Sequence, residues 1–260
     1  MEGLPDYGLI DRTEVGRMIF YPRADRSPPP PGAADYPIDV APGITVGSRF
    51  YPADPSFPTI LYFHGNGEVV PDYDETAPIY HQAGANLWVA DYRGYGASNG
   101  SPSFASLVAD AHPVLARFHE VLDEGGYSDR RFVMGRSLGS HPAVELAARA
   151  PDRLKGLIIE SGGANLRRLM RFFGYGEPTG DVAALIERHR AKMAAIRLPT
   201  LVIHGEYDEL IPVEHAIEFH ADLNAEPKEL LIIPGAGHND ILWVGLQQYF
   251  AAVARFVGGG

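Results

Sequence analysis

The chain has 260 residues, is 45% hydrophobic and carries a formal net charge of −11. That length and apolar content support one sizeable core, and the acidity repels phosphate backbones, which argues against a nucleic-acid partner. The absence of cysteine excludes disulfides, thiolate catalysis, zinc–thiolate sites and S-acylation, and it fits a reducing cytoplasm.

In chain order, the opening stretch MEGLPDYGLIDRTEVG carries acids and no apolar core, so no signal peptide is expected. No apolar run approaches the ~18 residues of a membrane span. Residues 26–37, RSPPPPGAADYP, hold four consecutive prolines, which favour an extended polyproline II segment. Residues 1–35 are therefore read as a proline-rich arm laid on the surface of a domain formed by residues 36–260. YPIDVA and ITVGSRFY, from Tyr36 onward, suggest an antiparallel pair.

A rhythm then sets in. Thr59–Gly65, Asn86–Tyr92, Arg131–Gly135, Leu154–Ser161, Thr200–Gly205 and Lys228–Gly235 are short apolar runs rich in β-formers. Near-continuous apolar strands are buried on both faces, as in a parallel sheet. Helical segments alternate with them: Pro78–Gly84, Phe104–Glu124, Leu138–Ala150, Val213–Asn224 and Ile241–Val257. The alternation predicts a doubly wound α/β domain, whose ligands bind beyond the carboxyl ends of the strands.

The residues standing at those ends carry the chemistry. The run VMGRSLGSH places Ser137 between Gly135 and Gly139 where a strand turns into a helix. Such a turn strains the serine backbone, and glycines clear the space for it. A serine hydroxyl needs a base, and His238 in PGAGHND is the candidate because imidazole titrates near neutrality. Asp208, in HGEYDELIP, is placed to orient that imidazole and stabilise its cation. Oxyanion donors are expected from the main-chain amides of Leu138, on the new helix, and Asn66, in HGNGE, with Gly67 second and part of the substrate-binding loop. The remaining histidines show no metal-ligand spacing.

The strand-end segments LYFHGNGE, DYRGYGAS, GRSLGS, HGEYDELIP and GAGHND resemble the α/β-hydrolase superfamily. The resemblance runs from about Tyr36 to the C-terminus. It is similar to bacterial-type serine hydrolases with HGN and GRSLG signatures, to ABHD-type thioesterases and to the hydrolase domains of acyl-peptidases. It implies a mostly parallel eight-stranded sheet with helices on both faces, a serine nucleophile and no cofactor.

Other residues at strand ends read as structural. Glu160 and Arg136 are expected to pair beside the site, with Glu160 an alternative triad acid. Asp91, Arg93 and Ser98 are expected to pin a loop, with Tyr92 or Tyr95 as alternative pocket residues, and His64 and His204 to hydrogen-bond neighbouring loops. A cap insert is expected at about 162–197. Leu166, Leu169, Met170 and Phe173 fall on one helical face and Arg167, Arg168 and Arg171 on the other, which reads as an amphipathic cap helix with solvated arginines; the alternative is an arginine cluster over the mouth that favours an acidic or carboxylate-bearing substrate. Phe172 and Tyr175 are assigned to the acyl pocket. The expected activity is hydrolysis of a small-molecule carboxylic ester or thioester. The alternatives are a peptidase or amidase of the same fold and a non-catalytic binding protein.

Overall fold

The computed structural model describes residues 5–259. Two short helices, α1 (Gly8–Asp11) and α2 (Glu14–Met18), precede an extended segment that crosses to β1 (Ala34–Asp35). β2 (Ile38–Ala41) and β3 (Ile44–Val46) form a separate antiparallel hairpin. β4 (Ser48–Tyr51), β5 (Thr59–Phe63), α3 (Ala77–Gln82), β6 (Asn86–Ala90), α4 (Phe104–Ala109) and α5 (Ala111–Glu124) follow. The chain continues through β7 (Arg131–Arg136), α6 (Ser140–Arg149), β8 (Gly156–Glu160), α7 (Leu166–Phe172), α8 (Gly180–Ala194), β9 (Thr200–Gly205), α9 (Glu214–Asp222), β10 (Lys228–Ile233) and α10 (Ile241–Gly258).

The main sheet has eight strands in the order β1-β4-β6-β5-β7-β8-β9-β10. β4 runs antiparallel to β6, and β6 through β10 with β5 are mutually parallel. The side-chain alternation of a strand divides its apolar residues between two cores. Leu61, Phe63, Val133 and Leu157 enter the core shared with α4, α5, α6 and α8. Ile60, Tyr62, Met134 and Ile158 enter the opposite core with α3 and α10. Both faces are covered, which is why the central strands are apolar throughout.

Three local differences from the sequence reading have visible causes. The run ITVGSRFY breaks at Gly47, whose amide bonds to Ser98 Oγ at 2.9 Å and whose carbonyl accepts from the Asp91 amide at 2.9 Å. Its first half therefore pairs in the hairpin and its second half in the main sheet. The helix expected over Phe104–Glu124 is two helices that meet at Asp110. There the Asp110 carboxylate accepts a two-pronged bond from Arg93, at 2.7 Å on each oxygen. The segment expected as a surface arm is split in character. Tyr7, Ile10, Val15 and Ile19 are buried, while the polyproline stretch stays largely exposed without regular structure.

The cap insert between β8 and β9 consists of α7 and α8. Leu166 and Met170 bury the inner face of α7, as its spacing predicts, whereas Phe173 closes the helix and is only half-buried. The second cap helix, α8, carries His189 and Lys192 inward.

Candidate active site

The turn after β7 is built around backbone constraints. Ser137 has φ +50°, in the left-handed region that a non-glycine residue occupies at a cost of roughly 1–2 kcal/mol. A Cβ at Gly139 would lie 2.1 Å from the Phe63 carbonyl oxygen, and one at Gly135 would lie 2.2 Å from the Gly139 carbonyl oxygen. The two glycines thus let β5, β7 and the first turn before α6 come within contact of one another.

Ser137 Oγ lies 3.1 Å from His238 Nε2. His238 Nδ1 lies 2.8 Å from Asp208 Oδ2. Asp208 Oδ1 accepts from the Leu210 and Ile211 amides at 3.0 and 2.7 Å. Burial by itself would raise this carboxyl, but hydrogen bonds from His204, His238 and the Ile211 amide hold it well below the ordinary carboxylate range. An ionised carboxylate only accepts, so His238 carries its proton on Nδ1 and leaves Nε2 free to accept from the serine hydroxyl. The strands β7, β8, β9 and β10 lie in that order with their carboxyl ends together, which is how residues 71 and 101 positions beyond Ser137 reach it.

Arg136 ties this array to its surroundings. Its Nε donates to Glu160 Oε1 at 3.1 Å and its Nη1 to Glu68 Oε1. Its Nη2 donates to the His238 carbonyl at 2.9 Å and to Asn239 Oδ1 at 3.1 Å. Glu160 also accepts from Tyr62 Oη at 3.1 Å and Tyr249 Oη at 2.7 Å. The expected Glu160–Arg136 pair is therefore present, and the bonds of Glu160 go to this buried set while Asp208 holds the imidazole. Glu68 braces the HGNGE loop through the Gly65 amide at 2.8 Å and Tyr73 Oη at 2.6 Å.

An open cleft of ≈ 1090 Å³ lies over Ser137 and His238. Leu138, Asn66 and Phe172 line it, and so do Arg167, Arg168 and Arg171. Leu138 sits in the first turn, where main-chain amides lack intrahelical partners. Two expected substrate-binding residues are not in the wall. Gly67, at φ +80°, turns its carbonyl to Arg23 Nε at 3.0 Å, and Tyr175 packs half-buried against the core. Each cap arginine reaches a glutamate: Arg167 pairs with Glu177 and Glu187, Arg168 with Glu218 at 2.6 Å and Arg171 with Glu177. Tyr92 and Tyr95 are buried, their hydroxyls bonded to the His64 carbonyl and Asn66 Oδ1 at 2.6 Å each.

Three parts of the wall were not anticipated from the sequence. Ile19 and Tyr21 of the N-terminal segment reach the cleft because Asn66 clamps them, its Nδ2 donating to the Ile19 carbonyl at 2.6 Å and its Oδ1 accepting the Tyr21 amide at 3.0 Å. Glu209 accepts from the His238 amide at 3.4 Å. His141, four residues past Ser137, lines the cleft. A histidine close behind the nucleophile turn, in SLGSH, was the available signal for it.

The profile of the family described as "Serine aminopeptidase, S33" matches residues 54–175 and 179–242. The chain is 30% identical over 262 aligned residues to the Mycobacterium tuberculosis protein Rv2307c, covering 93% of this chain and 86% of that one. It is 34% identical to the Caenorhabditis elegans alpha/beta hydrolase domain-containing protein aho-3 over 70% of this chain and 53% of that one. The solved structure of the Pyrococcus furiosus esterase Pf2001 superposes with TM-score 0.72 at 18% identity, over 91% of this chain and 98% of the esterase. The chain belongs to the α/β-hydrolase superfamily and is a hydrolase of that superfamily.

Proposed function

We propose that the protein is a serine hydrolase that cleaves a small-molecule carboxylic ester or thioester. The observation that carries this reading is the unbroken chain from Ser137 Oγ through His238 to Asp208, at 3.1 and 2.8 Å, opening on the cleft. In the first half-reaction Ser137 Oγ bonds to the acyl carbon as its proton passes to His238 Nε2. The Leu138 and Asn66 amides are the proposed donors to the oxyanion. Collapse breaks the bond to the leaving oxygen or sulfur, which takes the proton from His238. Water then attacks the acyl-enzyme with His238 as base, and the free acid departs with Ser137 restored.

Replacement Ser137→Ala tests the assignment. It should abolish fluorophosphonate labelling and lower p-nitrophenyl ester turnover by at least about 10⁴-fold, with unchanged thermal unfolding. Turnover or labelling that survives the substitution rejects Ser137 as nucleophile, and a chain that neither labels nor turns over esters or acyl-CoAs rejects catalysis in favour of ligand binding.

A second reading, aminopeptidase, is favoured by the description of the matching family and by two carboxylates in the cleft, Glu209 and Glu218, able to meet a substrate ammonium. Aminoacyl p-nitroanilides assayed beside the esters separate the two. Higher kcat/KM on the anilides would establish the peptidase.

A further inference from the structure

His141 is out of keeping with its neighbours. It is 4% exposed, yet its Nδ1 is buried without a hydrogen-bond partner, and neither ring nitrogen is bonded to any described residue. The adjacent His189 is the opposite case. Its Nδ1 meets Tyr7 Oη at 2.8 Å and its Nε2 the Ala164 carbonyl at 2.6 Å. Leaving a buried polar group unpaired costs roughly 1–3 kcal/mol, so the ring calls for a partner; Nδ1 is sealed from solvent, which leaves Nε2 as the nitrogen for a molecule in the cleft.

The surroundings fix the ring. It packs edge-on to Phe104 at 4.8 Å between centroids and lies 5.8 Å from His189. Burial, and then the ammonium of Lys192, push its pKa down to about 3, so the ring is neutral at physiological pH and offers one donor and one acceptor. Lys192 is itself held by Glu145 Oε2 at 2.6 Å and Tyr7 Oη at 2.7 Å.

Position then determines what this ring can meet. His141 stands four residues past Ser137, in the first turn of α6, and lines the same cleft. A leaving group must depart beside His238, which protonates it, on the β10 side of the cleft. His141 contacts α4 and α8 on the other side, where the acyl part of an ester remains.

We propose that His141 is a polar recognition point for the acyl group, selecting acyl chains that carry a hydroxyl or keto oxygen two or three bonds from the scissile carbonyl. This rests on the serine hydrolase reading and names its substrate class. A plain alkyl chain would leave the ring unpaired, so the subsite discriminates against it as well as favouring the oxygenated chain.

The test compares p-nitrophenyl butyrate with p-nitrophenyl 3-hydroxybutyrate on the wild-type chain, His141→Phe and His141→Gln, with thermal unfolding as the folding control. The wild type should favour the hydroxy ester. His141→Phe should lower the ratio of kcat/KM values, hydroxy over plain, by about tenfold, the size of one hydrogen bond. His141→Gln, which keeps a donor and an acceptor, should recover part of the ratio and covers the case in which the phenylalanine variant does not fold. A wild-type ratio of one, or variants that slow both esters equally, overturns the subsite and leaves the hydrolase assignment standing. Failure of the wild type on both esters overturns the subsite; only if fluorophosphonate labelling and acyl-CoA turnover are absent as well is the hydrolase reading overturned with it.

Discussion

Arg136 Nη2 donates to the main-chain carbonyl of His238 at 2.9 Å, so the residue preceding the proposed nucleophile holds the loop that carries the proposed base. The same guanidinium satisfies Glu160, 1% exposed, and Glu68. Nucleophile turn, imidazole loop and HGNGE loop therefore share one cation. Arg136→Gln should uncouple them and strand a buried carboxylate. Breaking a buried pair from one side costs roughly 3–5 kcal/mol, and a 1 Å displacement of the base costs up to about 10² in rate. Chemical denaturation and steady-state kinetics should show both losses, with kcat falling more than KM rises. A variant with wild-type kcat would show that the loop holds its place without Arg136.

The glycines flanking Ser137 make a sharper stability prediction. Gly139→Ala puts a methyl 2.1 Å from the Phe63 carbonyl oxygen, and Gly135→Ala puts one 2.2 Å from the Gly139 carbonyl oxygen. Both obstacles are main chain and cannot swing aside, so each variant should lose about 3 kcal/mol or more in urea unfolding. Gly176→Ala, with no atom within 4 Å of the added carbon, should stay within about 0.5 kcal/mol of the parent.

Acid sensitivity should begin above the carboxylate range. Burial, with Arg153 and Arg131, lowers His119 to about 4, and burial with Lys192 lowers His141 to about 3, from ordinary values of 6.5. Below 6.5 the unfolded chain takes up protons on these rings that the folded chain refuses. Stability is therefore complete above the ordinary value and drains away as pH falls toward the folded values, by roughly 1.4 kcal/mol per pH unit for the buried His141. Urea melts between about pH 7 and pH 5 should show this fall, and His141→Phe should flatten its slope. Equal slopes for parent and variant would contradict the assignment.

Asn66→Ala should act through the N-terminal segment. It keeps the main-chain amide proposed for the oxyanion and removes the clamp on Ile19 and Tyr21. KM should rise about 3- to 10-fold with kcat nearly constant, and limited proteolysis before the polyproline stretch should accelerate. Unchanged KM would mean that Tyr21 is not a working part of the cleft wall.

What could be read from the sequence follows from locality. The alternation of Ile60, Leu61, Tyr62 and Phe63 between two cores was visible as an unbroken apolar run, and Ser137, Asp208 and His238 could be placed because each stands where such a run stops. The position of Ile19 and Tyr21 was not legible, since it depends on a bond from a side chain 45 or 47 residues away. Tyr175 was misplaced for a related reason. Its spacing says nothing about whether the chain after α7 turns toward the cleft or, as it does, back onto the core. The break at Asp110 likewise depends on Arg93, which no local pattern reveals.

The cap leaves one more consequence. It lies between β8 and β9, two strands joined by main-chain bonds along Leu157–Glu160, and a Cβ added at its Gly174 or Gly176 would meet no atom within 4 Å. A nick there would put Ser137 on one piece and both Asp208 and His238 on the other. On the proposed mechanism neither fragment could hydrolyse an ester alone, and ester turnover would report directly on their reunion through that strand seam, making the chain a ready split reporter.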